Sequence, residues 1–278
     1  MGKNLPLLMT ASVSTRGMIG ARYTDEEREA MYVDALTYYI VHLFKSDPQQ
    51  KIVFAENSGW PIEHIMEKLP KFDPSRLEFI SLPSDLFDIS RGKGYNELLL
   101  INKAIECSSF IQECGAFFKV TGRYPIFNLS YFIRQATSVI MNGMDMYCDV
   151  KDHCIFDMLH LNWCGHSADA RIFAVTVLYF QQHIGCRYNE LNDYYGLLLE
   201  GLLFQNVKQA CETGVNRFTG IVGDGKIMAR FTREPVFGGM EGSMIDAVSF
   251  SADQNSLKNK VKRMIGNGFR FFLPWIWI

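Results

Sequence analysis

The sequence predicts an α/β protein built on a mostly parallel sheet flanked by helices and folded as a single domain. Three observations carry that expectation. Short apolar runs alternate with amphipathic stretches of helical period through the first 125 residues, and strand–helix–strand order of this kind leads to parallel pairing with crossover helices. The chain has 278 residues, 48% hydrophobic and 21% charged, which is ample for one sizeable core. No internal repeat or low-complexity linker divides it.

Residues 7–13 read as a buried first strand that breaks into the polar loop Ser14-Thr15-Arg16-Gly17. Thr24 is placed to cap a helix with an acidic first turn (Asp25, Glu26, Glu27) whose apolar face continues to about Phe44. Residues 51–55 form a second strand ending in Glu56-Asn57-Ser58-Gly59, and Pro61 opens a helix over 62–69. A third strand over 77–82 closes at Pro83-Ser84-Asp85. A helix over 97–113 buries one face and leads into a fourth strand at 116–120. Further on, the pattern predicts a helix over 129–141, a strand over 144–150, and helices over 170–183 and 189–213. A hairpin follows, with strands 217–222 and 226–231 around Gly223-Asp224-Gly225.

Polar patches fall where the first four strands end: Ser12 to Arg16; Glu56, Asn57 and Ser58; Ser84 and Asp85; and Thr121, Gly122, Arg123 and Tyr124. In open α/β sheets ligands bind at the carboxyl ends of strands, so their recurrence predicts a cleft there. The last patch offers a hydroxyl, a flexible glycine, a guanidinium and a phenol. That set suits a phosphorylated, sugar-bearing ligand, although polar strand exits are also ordinary loop chemistry. Lys93, near the start of the third long helix, can reach phosphate oxygens with help from the helix amino end. Glu97 can bind a sugar or ribose hydroxyl. The plainer reading makes these two a solvated lysine and a capping carboxylate.

Two segments carry a family resemblance: Lys93-Gly94-Tyr95-Asn96-Glu97, and Phe118-Lys119-Val120-Thr121-Gly122-Arg123-Tyr124. They resemble a group of bacterial glycosyltransferases with a GT-A-like (Rossmann-like) fold, found in capsule and lipopolysaccharide O-antigen synthesis. The resemblance spans roughly residues 5–245 but is specific in these two segments alone. It implies a nucleotide-sugar donor half over about 1–125, an acceptor half over 126–250, and a glycan or lipid-linked acceptor. It also implies donor contacts at Ser12, Glu56, Asn57, Ser58, Lys93, Glu97 and Thr121 to Tyr124. In ordinary GT-A enzymes the matching strand ends in Asp-x-Asp, which holds a metal on the diphosphate; here it ends in Thr121-Gly122-Arg123. With Lys93 and Arg123 neutralising the leaving group no metal is required. Mn²⁺ or Mg²⁺ on Asp149 and Asp152 is the alternative. An inverting transfer needs a general base, for which Asp169 and Glu200 are the candidates; Glu200 stands out as a carboxylate among leucines.

A net charge of −2 gives no global pull toward nucleic acid. The seven cysteines form no C-x-x-C pair, so free thiols in a reducing cytoplasm are expected. The spacing of Cys148, His153, Cys154, His160, Cys164 and His166 does not suit zinc. No export signal or membrane span is expected. Residues 251–278 form a basic, then aromatic tail suited either to a membrane interface or to packing on the domain. Removal of 269–278 is expected to leave the sheet intact. Two other classes compete: a non-catalytic glycan-binding or assembly subunit, and another nucleotide-dependent transferase. A dinucleotide enzyme is disfavoured because no G-x-G-x-x-G turn follows the first strand.

Overall fold

The apolar runs at 7–13 and 51–55 carry no polar alternation, the mark of strands covered on both faces. In the computed structural model, which describes residues 4–18, 21–152, 166–238 and 257–277, they become β1 (Leu7–Ala11) and β2 (Ile52–Glu56), each buried throughout. β3 (Leu77–Ser81) pairs parallel with β2, and β4 (Ala116–Thr121) parallel with β1. Five further strands complete the main sheet: β5 (Met146–Tyr147), β8 (Ile172–Thr176), β9 (Val215–Asn216), β10 (Ile221–Val222) and β11 (Ile227–Met228). Their order is β3-β2-β1-β4-β8-β5-β11-β10-β9, with β8 and β10 running against the rest. A separate ribbon pairs β6 (Val150–Asp152) with β7 (His166–Ala168). This is the expected α/β arrangement, a mostly parallel sheet with helices on both faces.

The two faces are built from alternate residues of the same strands. On β4, Phe118 and Val120 face a core shared with α1 (Asp25–Ser46) and α5 (Leu129–Met141), while Phe117 faces the opposite core with α3 (Gly92–Cys107). The cap of α1 is as expected: Thr24 and Glu27 form a capping box. A short α2 (Ile62–Met66) follows β2.

Three expectations give way to local chemistry. The helix expected over 97–113 is two. α3 starts at Gly92, and Ser108 ends it and caps α4 (Ser109–Cys114) by accepting from the Ile111 amide at 3.2 Å. The helix expected over 170–183 begins as a strand. Ile172-Phe173-Ala174-Val175 fills the sheet between β4 and β5, and Thr176 then caps α6 (Val177–His183). The helix expected over 189–213 shortens to α7 (Leu199–Cys211), because the Asn192 side chain accepts from the Tyr194 and Tyr195 amides and holds a turn. The expected hairpin keeps its turn, but its strands are two residues each.

The C-terminal segment is anchored to this body. After α8 (Leu257–Phe272), Trp277 is buried and pairs with Asp152 in a β-bridge, and Arg270 is buried against Asp149. The expectation that 269–278 can be removed without touching the core therefore does not hold. The boundary placed at residue 250 lies outside the described residues, as do His153, Cys154, His160 and Cys164.

Candidate functional site

A cleft opens where β1, β2 and β4 end. Its wall begins at Ser12, just past β1. The Ser12 amide donates to the Tyr32 hydroxyl at 2.9 Å, and its side chain bonds the Asn57 carboxamide. Arg28, on the second turn of α1, donates through Nε to the carbonyls of Ser12 and Val13 at 2.9 Å each. Burial draws its guanidinium below the usual range, and the Arg123 charge adds to this. Ser58 accepts from the Ser14 amide at 2.9 Å, joining the exits of β1 and β2. Arg16 reaches across to the carbonyls of Ser84 and Phe87.

Thr121 and Arg123 line the cleft from β4, and Lys93 and Glu97 line it from α3. Crowding by the surrounding protein lowers the Lys93 pKa, and the charges of Arg123 and Arg28 lower it further, against the pull of Asp193. Such a cluster favours an anion, because a bound negative charge relieves the repulsion among the cations. Glu97 is oriented from below. It accepts from the Thr10 hydroxyl at 2.7 Å and pairs with Lys119 Nζ at 2.7 Å. Lys119 is fully buried on the α3 side of β4 and also donates to the Ala170 carbonyl at 2.6 Å and the Thr121 hydroxyl at 3.1 Å.

Three expected donor contacts lie behind the wall instead of in it. Glu56 is fully buried, and its carboxylate accepts from the amides of Val13, Ser58 and Trp60, fixing the loop geometry. Gly122 serves strand packing: its amide donates to the Thr10 carbonyl at 3.0 Å, and a Cβ there would lie 2.8 Å from that oxygen. The Tyr124 ring packs edge-on against Phe237 in the core, and burial raises its phenol far above the usual range. The amino end of α3 also differs from expectation. The amides of Lys93 and Gly94 donate to Asp193, so that carboxylate occupies the position expected for phosphate. Gly92, at φ 86°, permits this approach, since a Cβ would lie 2.5 Å from the Asp193 Cβ.

The alternative metal ligands are otherwise engaged. Asp149 holds Arg270 through two oxygens at 2.7 Å each and accepts from the Phe231 amide. Asp152 is met by Lys208 at 3.3 Å, Arg217 at 3.1 Å and His166 at 3.0 Å. Neither lines the cleft. The two candidate bases differ. Burial pushes the Asp169 carboxyl up, but the Arg171 charge and its bidentate hydrogen bonds outweigh it and hold the group below the usual range. Glu200, in the first turn of α7, is exposed, and neither it nor Asp169 lines the cleft, but the protein crowds the inner side of Glu200. Desolvation, with repulsion from Glu97 and Asp193, raises its carboxyl.

No family model matches the chain, and no curated protein matches it in sequence. Solved structures resemble it distantly. One is mouse xyloside xylosyltransferase 1, at TM-score 0.41 and 12% identity with 75% of each chain covered. Another is the bifunctional glycosyltransferase WbbM, at TM-score 0.38 and 11% identity over 75% of this chain and 35% of that one. A third is the mannosyltransferase Ktr4p from S. cerevisiae in complex with GDP, at TM-score 0.32 and 9% identity over 74% and 62%. At such distances the chemistry of the cleft has to be read from its own residues.

Sequence reasoning missed Arg28, Tyr32 and Lys119. Arg28 and Tyr32 stand four apart on α1 and so share a face. The available signal was a basic residue on the stripe that Tyr32, Leu36 and Tyr39 bury.

Proposed function

We propose that this chain is a nucleotide-sugar-dependent glycosyltransferase, with a growing surface polysaccharide such as capsule or O-antigen as acceptor. The observation that carries the reading is the cation-rich cleft at the ends of parallel strands, with Thr121-Gly122-Arg123 closing the strand where a metal-binding carboxylate pair would stand. The donor diphosphate lies among Arg123, Lys93 and Arg28. Glu97, held by Thr10 and Lys119, meets the donor's hydroxyls. In an inverting transfer the acceptor oxygen bonds to the anomeric carbon as the bond to the diphosphate oxygen breaks. The nucleoside diphosphate leaves with that electron pair, its growing charge stabilised by the cations. The acceptor proton passes to Glu200, whose raised pKa suits a base better than the arginine-held Asp169. Cationic side chains do the work of the ion, so Mn²⁺ or Mg²⁺ is not needed.

The test is release of nucleoside diphosphate from a panel of nucleotide sugars in excess EDTA, with wild type and Glu200→Gln. Slow hydrolysis of one donor that persists in EDTA is expected, with acceptor transfer lost in the variant while donor binding is retained. Glycan binding with no turnover of any donor would favour the non-catalytic assembly subunit. Activity that disappears in EDTA and returns with Mn²⁺ would overturn the metal-free grip.

A further inference from the structure

The helix α8 is docked inside out. Its polar side faces the domain: Arg270 pairs with the buried Asp149, and Asn267 Oδ1 accepts from the Glu234 amide at 3.0 Å. At Gly266 a Cβ would lie 2.3 Å from a Glu234 carboxylate oxygen, so the helix is pressed close on that side. Its apolar side faces outward. Leu257, Val261, Met264, Ile265 and Phe272 recur at spacings of three, four and seven, and so form one stripe, and all are exposed, Leu257 at 79% and Phe272 at 73%. Trp275, stacked on the exposed Phe218 at 5.3 Å, extends this apolar surface beyond the helix end.

Lys258, Lys260 and Lys262, all exposed, flank the stripe on both sides, and residues 257–278 contain no Asp or Glu. That charge decides between occupants. A second copy laid face to face would bring two lysine rows together with no acid on this segment to offset them. An anionic lipid surface takes the apolar stripe into its acyl boundary and the lysines into its headgroups. We infer that α8 seats the protein on anionic phospholipid, the stripe entering the interface and the three lysines contacting phosphates. The inference is independent of the transfer reaction, because none of these residues lines the cleft.

The experiment is flotation of the full chain with vesicles of phosphatidylcholine alone or with 30% phosphatidylglycerol (about a third anionic lipid, enough to give a strong surface potential). Binding is expected to the anionic vesicles and to weaken as salt shortens the reach of the lysines. A Lys258→Ala/Lys260→Ala/Lys262→Ala variant should bind on the order of a hundredfold more weakly, at roughly fivefold per lysine near a charged surface. Met264→Glu/Ile265→Glu should bind little at any salt while keeping the wild-type circular dichroism, since both side chains are exposed. Equal binding to neutral vesicles, or unchanged binding by either variant, would overturn the inference. So would a self-association seen by sedimentation that Met264→Glu/Ile265→Glu abolishes, since the stripe would then belong to a second copy.

Discussion

Two regions of this molecule concentrate charge, and they do so in opposite ways. Among the described residues lining the cleft, Arg16, Arg28, Lys93 and Arg123 face one carboxylate, Glu97, which Lys119 already holds. Around β6 each carboxylate has a cation of its own: Asp149 is matched by Arg270, and Asp152 by Lys208 and Arg217 with His166 beside them. The first arrangement sets four cations and one carboxylate around an open cleft. The second leaves neither carboxylate without a cation, and it fastens the C-terminal segment to the body. Charge that is matched internally belongs to stability, and charge left in excess over a cleft belongs to binding.

The largest effect should come from breaking the matched region. Asp149→Ala leaves Arg270 buried without its partner and close to Arg230, whose guanidinium burial and the Arg270 charge already pull down to about 10. A loss of about 3–5 kcal/mol in unfolding free energy is expected by urea titration. A loss below about 1 kcal/mol, the worth of a surface pair, would remove the contrast between the two regions.

Next in size is the cleft itself. Arg123→Ala should lower turnover by about 10²–10³, near 2.7–4 kcal/mol of transition-state stabilisation, while the thermal midpoint stays put. Near-normal turnover, or a large fall in the midpoint, would move Arg123 into the structural class.

A third effect is tied to pH. On the proposed function Lys93 holds phosphate as an ammonium, and crowding by the protein, with the Arg123 and Arg28 charges, lowers its pKa. Ligand binding raises that pKa, so affinity for a nucleoside diphosphate is full at low pH and falls as pH rises through the lowered value. Lys93→Ala should weaken affinity by about 1.5–3 kcal/mol and abolish this alkaline limb. Calorimetry across pH 7 to 10 checks it, the window of about three units below a free lysine's pKa. A limb that persists in the variant would assign it elsewhere.

The smallest effect sharpens the comparison from the other side. Lys208 is exposed, and without it Asp152 keeps Arg217. Lys208→Ala should therefore cost no more than about 1 kcal/mol, and a larger loss would mean that the cluster acts as one cooperative network.

Much of the donor half could be read from residue pattern, because uninterrupted apolar runs and their polar exits mark buried parallel strands directly. Ser12, Asn57, Ser58, Lys93, Glu97, Thr121 and Arg123 all reach the cleft wall. Glu56, Gly122 and Tyr124 came from the same loops but face inward, and pattern does not encode which way a strand-end side chain turns. Arg28 stayed hidden because its role depends on how α1 crosses the end of β1, a tertiary fact. Lys119 stayed hidden because one lysine within Phe-Phe-Lys-Val still reads as a buried strand. The misread at 170–183 has a different cause: Ile172-Phe173-Ala174-Val175 is a short apolar run whose periodicity fits strand and helix alike.

Asp193 has a consequence for how the two halves communicate. One carboxylate from the loop ahead of α7 is latched onto the amides of Lys93 and Gly94, a hundred residues earlier in the chain. Glu200 begins its helix a few residues beyond that latch. On the proposed function, an acceptor that shifts this loop as it settles against Glu200 also shifts the amino end of α3 and Lys93. Arg91, which donates to the Asn189 and Leu191 carbonyls, joins the same two segments, and on the proposed function hydrogen exchange at the Lys93 and Gly94 amides is expected to respond to an acceptor that never touches them.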